Sequence, residues 1–170
     1  MTGRFSIRTR FPVPGGQRAL RYEGPFGPIT AECDGRAVRT AVQGDFVGQA
    51  EIDWGMWSFR HYYAERRLRL RRGVEGSVGG VGVLVSQPRR GWSRPARALW
   101  AEWPGRPERP AARFVLRGCR ALVLERADGA PLVGSRPAWR GGLVTDAADA
   151  FDVALYVLVR AADLHFELEL

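Results

Sequence analysis

Residues 145–164 read TDAADAFDVALYVLVRAADL, and the middle of this stretch is apolar in every direction: Phe151, Val153, Ala154, Leu155, Tyr156, Val157, Leu158 and Val159 leave no polar face. A helix that is hydrophobic all round has to be buried all round. Its three valines leave a strand open as the alternative. The length and the alanine-rich ends favour a helix over about 147–163. Thr145 or Asp146 suits the N-cap, Asp146, Asp149 and Asp152 sit where the helix dipole favours acids, and Arg160 lies nearer the end. Asp149 and Asp152 read as capping groups rather than as a catalytic carboxylate pair. Beyond the helix, LHFELEL alternates, which predicts a terminal strand with Leu164, Phe166, Leu168 and Leu170 on one face.

Everything before this stretch reads as short strands. RFSIRTRF alternates, placing Phe5 and Ile7 opposite Arg4, Ser6, Arg8 and Arg10, until PVPGG ends it. RALRYE and PITAEC follow, then Asp34-Gly35, a strong short-range hairpin signal because both turn positions need positive φ. RAVRTAV, GDFVGQAEID and MWSFRHYY extend the series. RRLRLRR (66–72) alternates leucine with arginine, as an exposed strand would. GVEGSVGGVGVLV has too many glycines for a helix and reads as a bulged or loop-like segment feeding a strand over 81–85. Stretches near 86–95 and 104–112 are loops by composition, and ARALWAEW between them is a strand or a short helix. RFVLR, RALVLER and PLVGS are three more strands, the last two joined at Asp128-Gly129.

A sheet open to water on one face offers such a helix a single wall, whereas a closed or curled sheet surrounds it. The expected fold is therefore mainly β (α+β), one domain over 1–170. It is an antiparallel barrel or curled sheet of about ten strands around one hydrophobic C-terminal helix. With its strand-rich body, RALVLERADGAPLVGS as an extended-turn-extended unit and DAFDVALYVLV as the core helix, the chain resembles the tubby-like superfamily. That group includes the LURP-one-related and phospholipid-scramblase proteins, whose barrels wrap a central hydrophobic helix. The resemblance implies a ligand- or lipid-associated module rather than an enzyme. The LHFELEL extension and the lack of an acidic cluster resembling a calcium site depart from the family. No functional residue is carried over from it.

Composition bounds the rest. The chain has 170 residues with 45% hydrophobic and 26% charged content, ordinary globular values that exclude whole-chain disorder. Two cysteines (Cys33, Cys119) and two histidines (His61, His165) make neither a disulfide framework nor a zinc spacing, so no metal and no cofactor are expected. The first residues show no signal-peptide core, and the longest strongly apolar run, 153–159, is far too short to span a bilayer. A cytoplasmic protein is the expectation. The net charge is +8, and all 26 basic residues are arginine, a choice that codon bias explains as well as a polyanionic partner does. Residues 146–170 are acidic, with Arg160 alone against Asp146, Asp149, Asp152, Asp163, Glu167 and Glu169. The basic excess belongs to the body.

No stretch carries a catalytic signature. GVEGSVGGVG lacks the Lys and the following helix of a phosphate loop. His61 has no G-x-S-x-G elbow beside it and reads as an ordinary strand histidine. The binding candidates are arginines. Arg67, Arg69 and Arg71 would line one strand face about 7 Å apart, and Arg89, Arg90, Trp92 and Arg94, with Arg97 beyond, surround an indole. Such groups suit the phosphates of a membrane surface ahead of nucleic acid. The expected function is a non-catalytic binding module for an anionic ligand, membrane phospholipid foremost. The alternative is a structural subunit of a protein assembly, for which Trp92, Trp100 and Trp103 would be the exposed contacts. The bland reading of the arginines is a solvated basic face.

Overall fold

A computed structural model describes residues 3–10, 18–33, 37–44, 48–56, 71–87, 98–103, 111–117, 121–135 and 141–167. Twelve strands are described in chain order: β1 (Gly3–Arg10), β2 (Arg18–Gly24), β3 (Gly27–Cys33), β4 (Ala37–Gly44), β5 (Gly48–Met56), β6 (Val74–Val78), β7 (Val81–Ser86), β8 (Leu99–Glu102), β9 (Ala112–Arg117), β10 (Ala121–Arg126), β11 (Pro131–Ser135) and β12 (Gly142–Val144). Each pairs antiparallel with its chain neighbours, and β12 returns to β1 through Gly3↔Val144, Arg4↔Leu143 and Phe5↔Gly142. The result is a closed up-and-down barrel.

The alternation read from sequence sets inside and outside. On β2 and β3, Tyr22, Ile29 and Ala31 are buried while Arg21, Glu23, Thr30 and Glu32 are exposed. Val74, Val78, Val83, Val85, Phe114, Leu122 and Leu124 continue the inner surface around the ring. An eight-stranded barrel is just wide enough for side chains to fill, and diameter grows with strand number. Twelve strands therefore leave a lumen that can admit a helix about 10–12 Å across. Helix α1 (Ala150–Glu167) fills it, with every residue from Val153 to Arg160 at most 1% exposed.

The chain is threaded into the lumen at one end, here the lower end. Thr145 donates through its amide to Leu132 O (2.9 Å) and through Oγ1 to Pro131 O (3.0 Å), and Arg126 Nη2 donates to Ala147 O (2.9 Å). The helix then starts with a reciprocal cap. Asp152 N donates to Asp149 Oδ1 (2.9 Å) and Asp149 N donates to Asp152 Oδ2 (3.0 Å), which satisfies two amides that a helix start otherwise leaves open.

Several details differ from the sequence expectations. The helix begins at Ala150 with Asp149 as its cap, not at Thr145 or Asp146, because the hydrogen bonds of Thr145 are taken by β11. It also continues through Leu164, His165 and Phe166 to Glu167, so the described part of the expected terminal strand is helical. Period-two alternation over four residues was outweighed by continuity with the helix before it. The glycine-rich segment is not a loop but the hairpin β6–β7, whose turn at Gly79 and Gly80 has φ of 56° and 77°. Both turn positions need positive φ there, so the glycines mark the bend rather than disorder along the segment. ARALWAEW contains strand β8. Arg71 and Arg72 are helical, not part of an alternating strand. The Asp128-Gly129 turn is present as expected, with Gly129 N donating to Arg126 O (2.9 Å) and Ala130 N to Asp128 Oδ1 (2.9 Å).

Candidate functional site

In an up-and-down barrel, the connections that follow odd-numbered strands all leave from one end, and those that follow even-numbered strands leave from the other. The lower end holds the connections 25–26, 45–47, 79–80, 103–111, 127–130 and 145–149. Their only arginines are Arg106 and Arg109, set against Asp45, Glu108, Asp128, Asp146 and Asp149. The upper end holds 11–17, 34–36, 57–73, 87–98, 118–120 and 136–141. Segment 57–73 carries Arg60, Arg66, Arg67, Arg69, Arg71 and Arg72 against Glu65 alone. Segment 87–98 carries Arg89, Arg90, Arg94 and Arg97 and no acid. Arg36, Arg120, Arg136 and Arg140 add to these, with Asp34 the one other acid. The basic excess of the chain thus falls in the connections that follow odd-numbered strands.

Both arginine groups singled out from the sequence belong to connections that follow odd-numbered strands. The strands they join, β5 to β6 and β7 to β8, are consecutive in the ring. Arg71 is exposed, as is Arg72 beside it, and the chain turns into β6 at Gly73 with a φ of 90°. Arg67, Arg69, Arg89, Arg90, Trp92 and Arg94 lie outside the described residues, as do His61 and Cys119. The strand face that was to align Arg67, Arg69 and Arg71 is not what presents Arg71, which is helical.

The tryptophans expected at a surface are covered where they are described. Trp103 is 4% exposed within the core. Trp100 is half-buried on the outer wall, where Arg113 from the next strand lies over its ring at 5.7 Å from the centroid. Arg113 also pairs with Glu125 (Nη2–Oε2 3.1 Å), its register partner on β10, and the Glu125 side chain is only 5% exposed. Trp100, Arg113 and Glu125 thus form one polar row across three strands, with its members engaged on one another.

Two interior features were not legible in the sequence. Arg160 is 1% exposed and is engaged by partners. Its place at the end of the apolar run resembles an ordinary helix-terminal cation. Phe5, Tyr22 and Tyr156 form an aromatic cluster, with Phe5 5.1 Å from Tyr22 and 5.8 Å from Tyr156 between ring centroids. Tyr156 donates to Leu122 O at 3.3 Å, whereas the buried Tyr22 hydroxyl has no hydrogen-bond partner among the described residues. Burial, and to a lesser degree Tyr156, pushes the Tyr22 phenol far above its ordinary value.

Among the described residues, no group of three or more His, Cys, Asp or Glu is placed to hold a metal ion. No described helix is long and apolar enough to cross a membrane. The outer wall carries Arg4, Arg21, Glu23, Glu32 and Glu75 exposed while the lumen is apolar, the reverse of a barrel built to face lipid along its length. In comparisons with known proteins, the chain matches no family model, no curated protein and no solved structure.

Proposed function

We propose that the chain is a non-catalytic binding module that holds an anionic ligand, membrane phospholipid foremost, against the upper end of the barrel. The segregation of arginine carries this reading. Codon bias explains why lysine is missing, but it gives no reason for arginines to collect in the connections of one end while acids collect at the other. A cationic end on a charged barrel suits peripheral contact with a phosphate-rich surface, where each arginine contributes about 1 kcal/mol. Trp92, in the same connection as Arg89, Arg90 and Arg94, adds an indole suited to the lipid interface. The resemblance to the tubby-like superfamily belongs to this proposal, and a closed barrel around a hydrophobic helix near the C-terminus supports it. A structural role in an assembly has less support, because Trp100 and Trp103, two of the three contacts that suggested it, are covered.

The test is flotation with vesicles of phosphatidylcholine alone and of phosphatidylcholine mixed with phosphatidylserine, beside a nucleic-acid duplex. Binding is expected on the anionic vesicles. Replacing Arg67, Arg69 and Arg71 by alanine should weaken it on the order of a hundredfold. That contribution should fade as the Debye length falls from about 10 Å at 0.1 M salt to about 3 Å at 1 M, whereas the loss on Trp92→Ala should persist, because it comes from buried apolar area. Absence of binding to anionic vesicles at low salt would reduce the upper end to a solvated surface. Preference for the duplex would transfer the site to nucleic acid.

A further inference from the structure

The ring closes at one pairing that is not between chain neighbours. Every other pair of strands is consecutive in the chain, whereas β12 has to find β1 from the far end of the sequence. This closing strand is also the shortest described, three residues against seven in β2 and in β3. A short ladder loses little on opening, so the ring is weakest at this seam. The same strand runs directly into the lumen helix. Between them, Thr145 bonds to Leu132 O and Pro131 O, and Arg126 bonds to Ala147 O, so the root of α1 and the end of β12 are fixed at one place. Phe5 couples the two sideways. It is buried on β1 as the register partner of Gly142, and a Cβ on that glycine would strike the Phe5 ring. The other side of the ring meets Tyr156 of α1 edge-on, 5.8 Å between centroids.

We infer that β12 and α1 form one detachable unit, a strap and plug that leave the barrel together along the seam between β11 and β1, while β1 to β11 stay paired as a curled sheet. Each part needs the other. Without β12, α1 lacks a wall on one side, and a helix apolar all round is stable only where it is enclosed all round. Without α1, the inward Phe5 and Val144 face an empty lumen, and three residues of strand alone hold the ring shut. Strands β1 to β11 depend on neither, because each ladder among them joins consecutive strands. The fold therefore has a closed state and an open one in which the lumen is accessible from the side.

Native-state hydrogen exchange on the whole chain tests this. In the wild type, the protected amides of β12 and of residues 153–160 should open together, at least about tenfold faster than those of β9 and β10. A staple across the seam supplies a second reading. Arg4→Cys with Leu143→Cys, in a chain whose Cys33 and Cys119 are replaced by alanine, joins two exposed register partners on the outer wall. Their Cα separation of about 4.5–5.5 Å suits a disulfide. Arg21→Cys with Thr30→Cys makes the same staple between β2 and β3, away from the seam. Thermal melts of the reduced and oxidised forms establish that each is folded, and the wild-type pattern decides alone if a stapled chain is not. Oxidation of the seam staple should slow exchange over 153–160 by about tenfold or more, and oxidation of the β2–β3 staple by less than about twofold. One common rate for α1, β12, β9 and β10 in the wild type would overturn the inference by making the barrel a single cooperative unit. Fast exchange over 153–160 that the seam staple leaves unchanged, or that both staples slow equally, would overturn it by separating the helix from the seam.

Discussion

Two buried tyrosines touch the same phenylalanine, and removing their hydroxyls should move stability in opposite directions. Tyr156 donates to Leu122 O inside the barrel, so Tyr156→Phe gives up a buried hydrogen bond worth about 1 kcal/mol. Tyr22 is wholly buried and its hydroxyl has no partner among the described residues, so the native state bears a desolvation cost of about 1–3 kcal/mol that Tyr22→Phe removes. Loss of the oxygen's packing offsets part of that gain. A net stabilisation of about 1 kcal/mol and a gap of about 2 kcal/mol between the two variants are expected in urea unfolding at neutral pH. The pH dependence follows from the same burial. The folded-state phenol of Tyr22 titrates far above the ordinary value of 10.0. Below that value both states are protonated and nothing depends on pH. Above it the unfolded chain ionises first, and the wild type loses stability as pH rises. Tyr22→Phe should flatten that alkaline limb. If Tyr22→Phe destabilised the protein as much as Tyr156→Phe, or left the alkaline limb unchanged, the account of the core would be wrong.

Other substitutions probe the helix and the closure of the ring. Leu155→Ala empties part of a fully buried site and should cost about 2–5 kcal/mol, read as a lower urea midpoint at unchanged slope. Asp149→Ala removes the cap of α1 and should cost about 1 kcal/mol in the same assay. Gly142→Ala places a methyl against Gly134 O and the Phe5 ring, where β12 joins β11 to β1, and should cost roughly 1–3 kcal/mol or more by overpacking. Hydrogen exchange should then show faster opening in β12 and β1 than in β9 and β10.

The barrel was largely readable from the sequence because its cause is local. Alternation at Phe5, Tyr22 and Ile29 specifies an inner face, Asp-Gly marks turns, and an all-round apolar helix needs all-round walls. What escaped notice has non-local causes. β12 is three residues with a glycine at its head, too short for periodicity, and it exists because β1 and β11 flank it. The strands least visible in the sequence are this one and β6, which is hidden among glycines. Arg71 reads as strand from the alternation of leucine and arginine over 66–72, and two residues of helix at Arg71 and Arg72 leave no period to detect. The two arginine-rich segments were visible as such, but that both follow odd-numbered strands needs the complete strand order. The burial of Arg160 has no sequence signal at all, since a cation near a helix terminus is ordinarily favourable at the surface.

The central claim is that one end of the barrel meets an anionic surface. Its most direct test is a pair of fluorophore-labelled cysteines, introduced one at a time at Arg72 and at Asp128 after Cys33 and Cys119 are replaced by alanine. On anionic vesicles carrying a headgroup quencher, the label at position 72 should be strongly quenched and the label at 128 should not, with both signals unchanged on neutral vesicles. Quenching of the 128 label alone, or equal quenching at both ends, would contradict the account.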